Sequence, residues 1–222
     1  MTGATADLFE ALPGPGLSQR LMAPDAVLLG GFARGKDEGE ALVCAVEAVI
    51  ASAPLRHLVT PGGYTMSVAM TNCGALGWVS DRAGYRYEAL DPLSGRPWPA
   101  MPACLLELAV RAAAQVGFAH FRPDACLVNC YEPGARLSLH QDKDELDLSA
   151  PIVSVSLGLP VVFLFGTTLR SDRPGRHWLA HGDVVVWGGA ARLAYHGVAP
   201  LADGHHARLG RRRINLTFRT VR

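Results

Sequence analysis

Apolar and polar positions alternate in short runs through the C-terminal half of the chain. From Asp124 onward the runs Ala125–Tyr131, Leu137–His140, 152–159, Val161–Phe165, 183–187, 192–196 and Arg213–Arg219 are each bounded by turn residues. Seven such strands predict an all-β core of the jelly-roll or double-sheet barrel type. The N-terminal half reads differently. Leu42, Val43, Val46, Val49 and Ile50 recur at helical spacing, after Asp37-Glu38-Gly39-Glu40 in capping-box order and before Pro54. A second helix is expected over about 103–116, opened by Pro102 and closed by Gly117. A short strand over 27–29 and a mobile arm over 1–20 complete that half.

The stretch 60–98 fits neither period. Tyr64, Trp78, Tyr85, Tyr87 and Trp98 are spread among glycines and polar turns, with Val68-Ala69-Met70 its only short apolar run. Two readings stand: a β-hairpin lobe with structural aromatics, or a mobile cover whose rings stack on a planar ligand such as a base.

Composition narrows this picture. With 49% apolar and 18% charged residues in 222, the chain can bury a substantial core. No apolar run approaches membrane-spanning length, and Met1 to Glu10 lacks the features of a signal peptide, so a cytoplasmic protein is expected. Five scattered cysteines suit a reducing compartment, and Cys126 and Cys130 are expected to be buried thiols. The net charge of +1 gives no bulk attraction to nucleic acid.

The candidate chemistry begins at His140-Gln141-Asp142. On a strand, residues i and i+2 share a face, so this imidazole and carboxylate can grip one ion. With His196 they would form a 2-His-1-carboxylate set that suits non-haem Fe(II). His181-Gly182-Asp183 has the same spacing, and the motif alone does not choose between them. On the last strand Arg213, Asn215, Thr217 and Arg219 share one face; Asn129 with Tyr131, and Ser154 with Ser156, do the same elsewhere. Polar faces on several strands suggest a polar barrel interior, where two arginines would suit a small dicarboxylate.

The chain resembles the AlkB family of Fe(II)- and 2-oxoglutarate-dependent dioxygenases from about Ala26 onward. The most specific stretches are Thr60-Pro61-Gly62-Gly63-Tyr64-Thr65-Met66-Ser67, Leu139-His140-Gln141-Asp142-Lys143-Asp144-Glu145, Val184-Val185-Val186-Trp187-Gly188-Gly189 and Asn215-Leu216-Thr217-Phe218-Arg219. The resemblance implies a double-stranded β-helix core over 124–222 within one domain over 21–222, with N-terminal helices flanking it. It also implies a β-hairpin nucleotide-recognition lid over 58–98, making the fold α+β overall. It makes His140, Asp142 and His196 the iron ligands and leaves His181-Gly182-Asp183 as a turn. It assigns Asn129, Tyr131, Arg213, Asn215 and Arg219 to 2-oxoglutarate, with Arg219 on the distal carboxylate and Arg213 nearer the metal. Thr60, Met70, Trp78, Tyr85, Asp144, Glu145 and Arg170 would form the lesion pocket, Trp78 and His140 sandwiching the base.

The implied reaction consumes dioxygen and 2-oxoglutarate. It hydroxylates the methyl carbon of 1-methyladenine or 3-methylcytosine in DNA, by preference single-stranded, with double-stranded DNA and RNA as further substrates. Formaldehyde, succinate and carbon dioxide leave, and the protein acts as a monomer. A sister dioxygenase acting on RNA or protein as its regular substrate is the alternative; a zinc hydrolase would leave Arg213 and Arg219 without a task. Thr167 stands where a second glycine is common. His177, His205 and His206 are expected at the surface, and Arg208, Arg211 and Arg212 in the 202–212 linker as solvated charge.

Overall fold

The computed structural model describes residues 18–222. The arm expected over 1–20 lies outside the described residues except for its last positions, where Ser18 opens the first strand. In chain order the elements are β1 (Ser18–Ala23), β2 (Ala26–Gly30), α1 (Lys36–Ser52), β3 (Arg56–Val59), β4 (Thr65–Gly74), β5 (Gly77–Asp81), β6 (Gly84–Glu88) and α2 (Ala103–Gln115). There follow β7 (Ala125–Tyr131), β8 (Leu137–His140), β9 (Ile152–Gly158), β10 (Val161–Phe165), β11 (Gly175–Leu179), β12 (Val184–Trp187), β13 (His196–Val198) and β14 (Arg213–Arg219).

The strands form three antiparallel sheets. An eight-stranded sheet runs β1-β2-β12-β9-β14-β7-β4-β3, a four-stranded sheet runs β11-β10-β13-β8, and β5 pairs only with β6. The period-two patterning explains how the large sheet is covered on both faces. Ile214, Leu216 and Phe218 of β14, with Cys126 and Val128 of β7 and Val153 and Val155 of β9, pack against Leu42, Val46, Leu105 and Leu108 of the two helices. Each such side chain contributes about 1.5–3 kcal/mol on leaving water. The alternate residues of the same strands face the small sheet, where Phe163 and Phe165 of β10 meet Trp187 of β12 at ring-centroid distances of 6.2 and 5.9 Å. Mostly β, with two helices on one side, this is the jelly-roll arrangement.

Several expectations need adjustment. Helix α1 begins one residue before Asp37, and no side chain caps it, so the capping box does not form. β4 belongs to the large sheet, where Asn72 pairs with Leu127, so only β5 and β6 of the aromatic stretch stand apart. Trp98 is core: its indole N–H donates to the Glu88 carbonyl at 3.0 Å, and Arg56, ion-paired to Asp91, lies over its ring. A Cβ on Gly77 would come within 2.4 Å of that ring, so glycine lets the hairpin root close on it. The strand expected over 192–196 is instead a tight turn over Gly189–Ala191 leading to β13, which starts at His196. β11 was not expected.

Cys126 is buried beside Cys73, and burial pushes its thiol well up, as expected for an inert packing group. Arg208 is not simply solvated, for it donates to Glu40 and Glu47 of α1 at 2.9 and 2.7 Å and fastens the linker to the helix. His177 and His206 are half-buried, and His206 stacks on His181 with centroids 4.6 Å apart.

Candidate active site

The two sheets enclose a cavity of about 820 Å³ that opens beside the β5–β6 hairpin. His140 ends β8 and His196 begins β13; these strands are paired, and the two histidines lie opposite each other in register. Asp142 follows His140 by two residues, and one ligand atom from each of the three side chains lies within 4.8 Å of the others. His140 Nε2 is 3.6 Å from Asp142 Oδ1, and His196 Nε2 is 3.7 Å from Oδ2. Each imidazole has Nδ1 against the carbonyl two residues earlier, Ser138 at 2.8 Å and Ala194 at 3.0 Å. Donation of Nδ1–H to those carbonyls leaves both Nε2 lone pairs facing the carboxylate.

The electrostatics favour a cation at this point. Burial, then the neighbouring His140, pushes His196 down to about 4, so its imidazole is neutral at physiological pH. Burial would raise the Asp142 carboxyl, but the charge of Arg219, with the two histidines facing it, holds it well below the usual range. A carboxylate and two imidazoles on one side of a cavity form a donor set that fits Fe(II) with open positions. The other His-x-Asp pair is structural. Asp183 accepts from the backbone N–H groups of Gly31 and Ala180 at 2.8 and 2.7 Å, and His181 Nδ1 accepts from Gly158 N–H at 3.0 Å. Gly182, at φ +78° between them, closes the turn.

The polar face of β14 sits over the inner end of the site. Asn215 donates to Ser154 Oγ at 2.7 Å, Asn129 donates to Asn215 at 3.3 Å, and these two asparagines line the cavity with Tyr131 and Thr217. Arg213 is 1% exposed and is not among the lining residues. Its Nη2 donates to Ser156 Oγ at 2.9 Å, and its guanidinium lies over the Tyr131 ring at 5.0 Å. Among the described residues its Nε and Nη1 have no hydrogen-bond partner, nor does Asn129 Oδ1. A buried guanidinium without a carboxylate is expensive and calls for an anion. The residues therefore fit a dicarboxylate co-substrate.

Arg219 is placed differently. It donates from Nη2 and Nε to Asp142 Oδ2 at 2.6 and 3.1 Å, and Nε also lies 3.2 Å from Glu145 Oε1. Glu145 takes a bond from Arg192 at 3.1 Å and another from Tyr87 Oη at 2.6 Å. Arg192 in turn donates to the carbonyl of Asp142 at 2.7 Å. This buried network holds the ligand carboxylate and reaches into β6. Glu145→Ala would leave Arg192 and Arg219 short of a counter-charge. It is expected to destabilise the metal-free protein by about 3–5 kcal/mol, read as a lower melting midpoint; an unchanged midpoint would show the network to be dispensable.

Of the lesion-pocket residues expected from sequence, Thr60, Met70, Trp78, Tyr85, Asp144 and Arg170 line the cavity, whereas Glu145 does not. Trp78 stacks on Tyr85 with centroids 5.5 Å apart and planes 14° apart, and its Nε1–H donates to Asp144 Oδ2 at 2.8 Å. Arg170 lies over the Tyr195 ring at 5.6 Å. Trp187, not singled out as a site residue, lines the cavity and meets His196 at a centroid distance of 5.0 Å. Arg192 and Tyr87 were also missed, because their partners lie far away in sequence and no local pattern marks them.

The family model described as 2OG-Fe(II) oxygenase superfamily matches residues 25–219. The chain is 57% identical to an alpha-ketoglutarate-dependent dioxygenase AlkB of Salmonella typhimurium over 201 residues, 90% of this chain and 92% of the relative. It is 56% identical to the protein of the same name from Escherichia coli, with the same coverage of both. Among solved structures it is similar to OsALKBH1, with a TM-score of 0.79 at 27% identity, covering 91% of this chain and all of that one.

Proposed function

From the premise that this chain belongs to the 2OG-Fe(II) oxygenase superfamily, as one of its AlkB alpha-ketoglutarate-dependent dioxygenases, we propose that it removes methyl groups from ring nitrogens of nucleic-acid bases. The observation that carries this is the placement of Trp78, Tyr85 and Asp144 around the same cavity that holds His140, Asp142 and His196. Aromatic faces with a carboxylate at their edge suit a planar, positively charged heterocycle, and 1-methyladenine and 3-methylcytosine have that character.

His140, Asp142 and His196 would hold the iron, with both Nε2 atoms facing the carboxylate. Arg213 takes the distal carboxylate of 2-oxoglutarate on its unpartnered Nε and Nη1, with Tyr131 and the amides of Asn129 and Asn215 around it. That reverses the division of labour expected from sequence, because Arg219 is engaged with Asp142 and Glu145. When bound, iron and 2-oxoglutarate supply with dioxygen the oxidising chemistry that hydroxylates the methyl carbon, leaving succinate and carbon dioxide. The N–CH2OH group then loses formaldehyde as its hydroxyl proton departs and the electrons of the C–N bond return to the ring.

The protein's own part is orientation. Arg219 and Arg192 fix Asp142, the two backbone carbonyls fix the histidines, and the hairpin supplies the surface for the base. Asp144 keeps Oδ1 for an exocyclic amine while Oδ2 accepts from Trp78. The base must leave its stack to reach the cavity, which favours single strands. The protein acts as a cytoplasmic monomer in this reading; among the described residues no helix is long and apolar enough to cross a membrane.

Trp78→Ala is expected to weaken binding of a methylated oligonucleotide about 5- to 150-fold. Base-independent decarboxylation of 2-oxoglutarate should survive. Loss of both together with a lower melting point would make Trp78 a packing residue. Formaldehyde release from oligonucleotides bearing 1-methyladenine tests the whole reading. Turnover on a hydroxylatable peptide or an unmethylated RNA, with none on these lesions, would favour the sister-dioxygenase alternative.

A further inference from the structure

Several cations at the cavity mouth and on the adjoining β10–β11 hairpin have no carboxylate partner among the described residues. Arg34, Arg86, Arg111, Arg208 and Arg211 each meet a carboxylate. Arg136, Lys143 and Arg170 line the cavity with no such partner among the described residues, and Arg173 and Arg176 continue the series just beyond Arg170, exposed and unpaired. The acid nearest in sequence, Asp172, is engaged by Thr167, whose Oγ1 donates to its Oδ2 at 2.6 Å, and it forms no ion pair with either arginine.

The same hairpin carries Trp178, whose large aromatic side chain is 54% exposed. Arg176 and Trp178 are two apart on β11, opposite Leu164 and Val162 of β10, and so they share the outward face. Phe163 and Phe165, between those β10 positions, point into the core. Further across the sheet Leu164 pairs with Gly197, which has no side chain, so no carboxylate stands at that position.

Its position relative to the site is fixed by register. Phe165 pairs with Gly175 on one side and with His196 on the other, so β11 starts level with a metal ligand. Trp178 then lies about 10 Å along the strand and about 10 Å across from that histidine. Burial, then the charge of Arg20 on β1, lowers His177 of β11, and Arg20 adds an exposed cation at that edge.

We propose that the outward face of the β10–β11 hairpin, formed by Arg173, Arg176 and Trp178, binds the single strand flanking the base held in the cavity. This rests on the nucleic-acid reading above. The arginines neutralise phosphates leaving the mouth at Arg170, and Trp178 offers its ring to an unpaired base. Charge complementarity and continuity with the cavity mouth select this occupant. A backbone with stacked bases matches alternating cations and an aromatic, as on other single-strand platforms.

The test uses metal-loaded protein with 2-oxoglutarate and without oxygen, and measures anisotropy of a methylated trinucleotide and of a methylated strand about 15 nucleotides long. Trp178→Ala should weaken the long strand about 5- to 150-fold and leave the trinucleotide unchanged. Trp178→Leu should behave like alanine and Trp178→Phe like the parent, because the ring face is what matters. Arg173→Ala with Arg176→Ala should lower the salt slope for the long strand by about 1.4, at ~0.7 per cation. Equal effects on both lengths, retention in Trp178→Leu, or an unchanged slope would overturn the proposal. So would a shift in sedimentation on Trp178→Ala, which would make the face a self-association surface. If the parent releases formaldehyde from the trinucleotide while these variants bind the long strand normally, only the hairpin surface is wrong. If the parent neither binds nor demethylates either strand, the nucleic-acid reading falls, and the surface with it.

Discussion

Asp142→Ala is expected to abolish turnover of 2-oxoglutarate, with and without a methylated base. Asp142 is the only anion in the ligand set, and both histidines face its oxygens at 3.6 and 3.7 Å. Substituting groups that merely orient a metal ligand typically costs 10–100-fold in affinity or activity, so removing a ligand itself should exceed ~100-fold. A titration with Co(II), followed by its absorption bands, measures this apart from catalysis. The fold should survive: Arg219 keeps Glu145 at 3.2 Å, and Arg192 donates to the Asp142 backbone rather than its side chain. Metal affinity within tenfold of the parent would remove Asp142 from the ligand set.

Arg213→Met should act almost entirely on the co-substrate. Truncating one partner of a buried charge pair costs about 2–5 kcal/mol, which corresponds to a rise of about 30- to 5000-fold in the KM for 2-oxoglutarate. Stability should move the other way. Two nitrogens of Arg213 have no partner among the described residues, and the group is 1% exposed. Replacing an uncompensated buried charge with an apolar chain of similar length should stabilise the ligand-free protein, on the scale of ~1–4 kcal/mol. A raised KM with a raised melting point identifies a binding residue held at a cost to the fold. An unchanged KM with a lowered melting point would instead make Arg213 a strut for Ser156 and Tyr131. Arg219→Ala should look different, leaving Asp142 and Glu145 facing each other and impairing melting and metal binding together.

Much of this was legible because it is periodic. Strict alternation on β14 separates Ile214, Leu216 and Phe218 from Arg213, Asn215, Thr217 and Arg219, and the structure puts the first set on the helices and the second toward the small sheet. Helix α2 has clear ends at Pro102 and Gly117. The His140–Asp142 pair is readable once Gly182 marks the competing motif as a turn. What was not legible depends on contacts between distant segments. β11, Gly-Arg-His-Trp-Leu, is short, polar and at a sheet edge, so it has little apolar signal. Thr71 and Asn72 make β4 look like a loop, yet both are buried and satisfied, Thr71 by the Ala53 carbonyl and Asn72 by the Trp78 backbone. Glu145 sits three residues from Asp142 and reads as part of the same exposed acidic run. Only the fold reveals Arg192, Arg219 and Tyr87 around it.

The β5–β6 hairpin is anchored along β5 and at its root, and its turn is left outside: Ser80 Oγ donates to the Val59 carbonyl at 2.7 Å. At its root, Tyr87 opposite Trp78 reaches the buried carboxylate network, while Tyr85, nearer the Gly84 turn, stands exposed. A designer or natural selection can therefore treat the hairpin as an exchangeable tool on a fixed socket. Substitutions from Asp81 to Tyr85 should retune which modified bases are accepted without disturbing the oxidising centre, whereas any graft that discards Tyr87 would loosen socket and centre together.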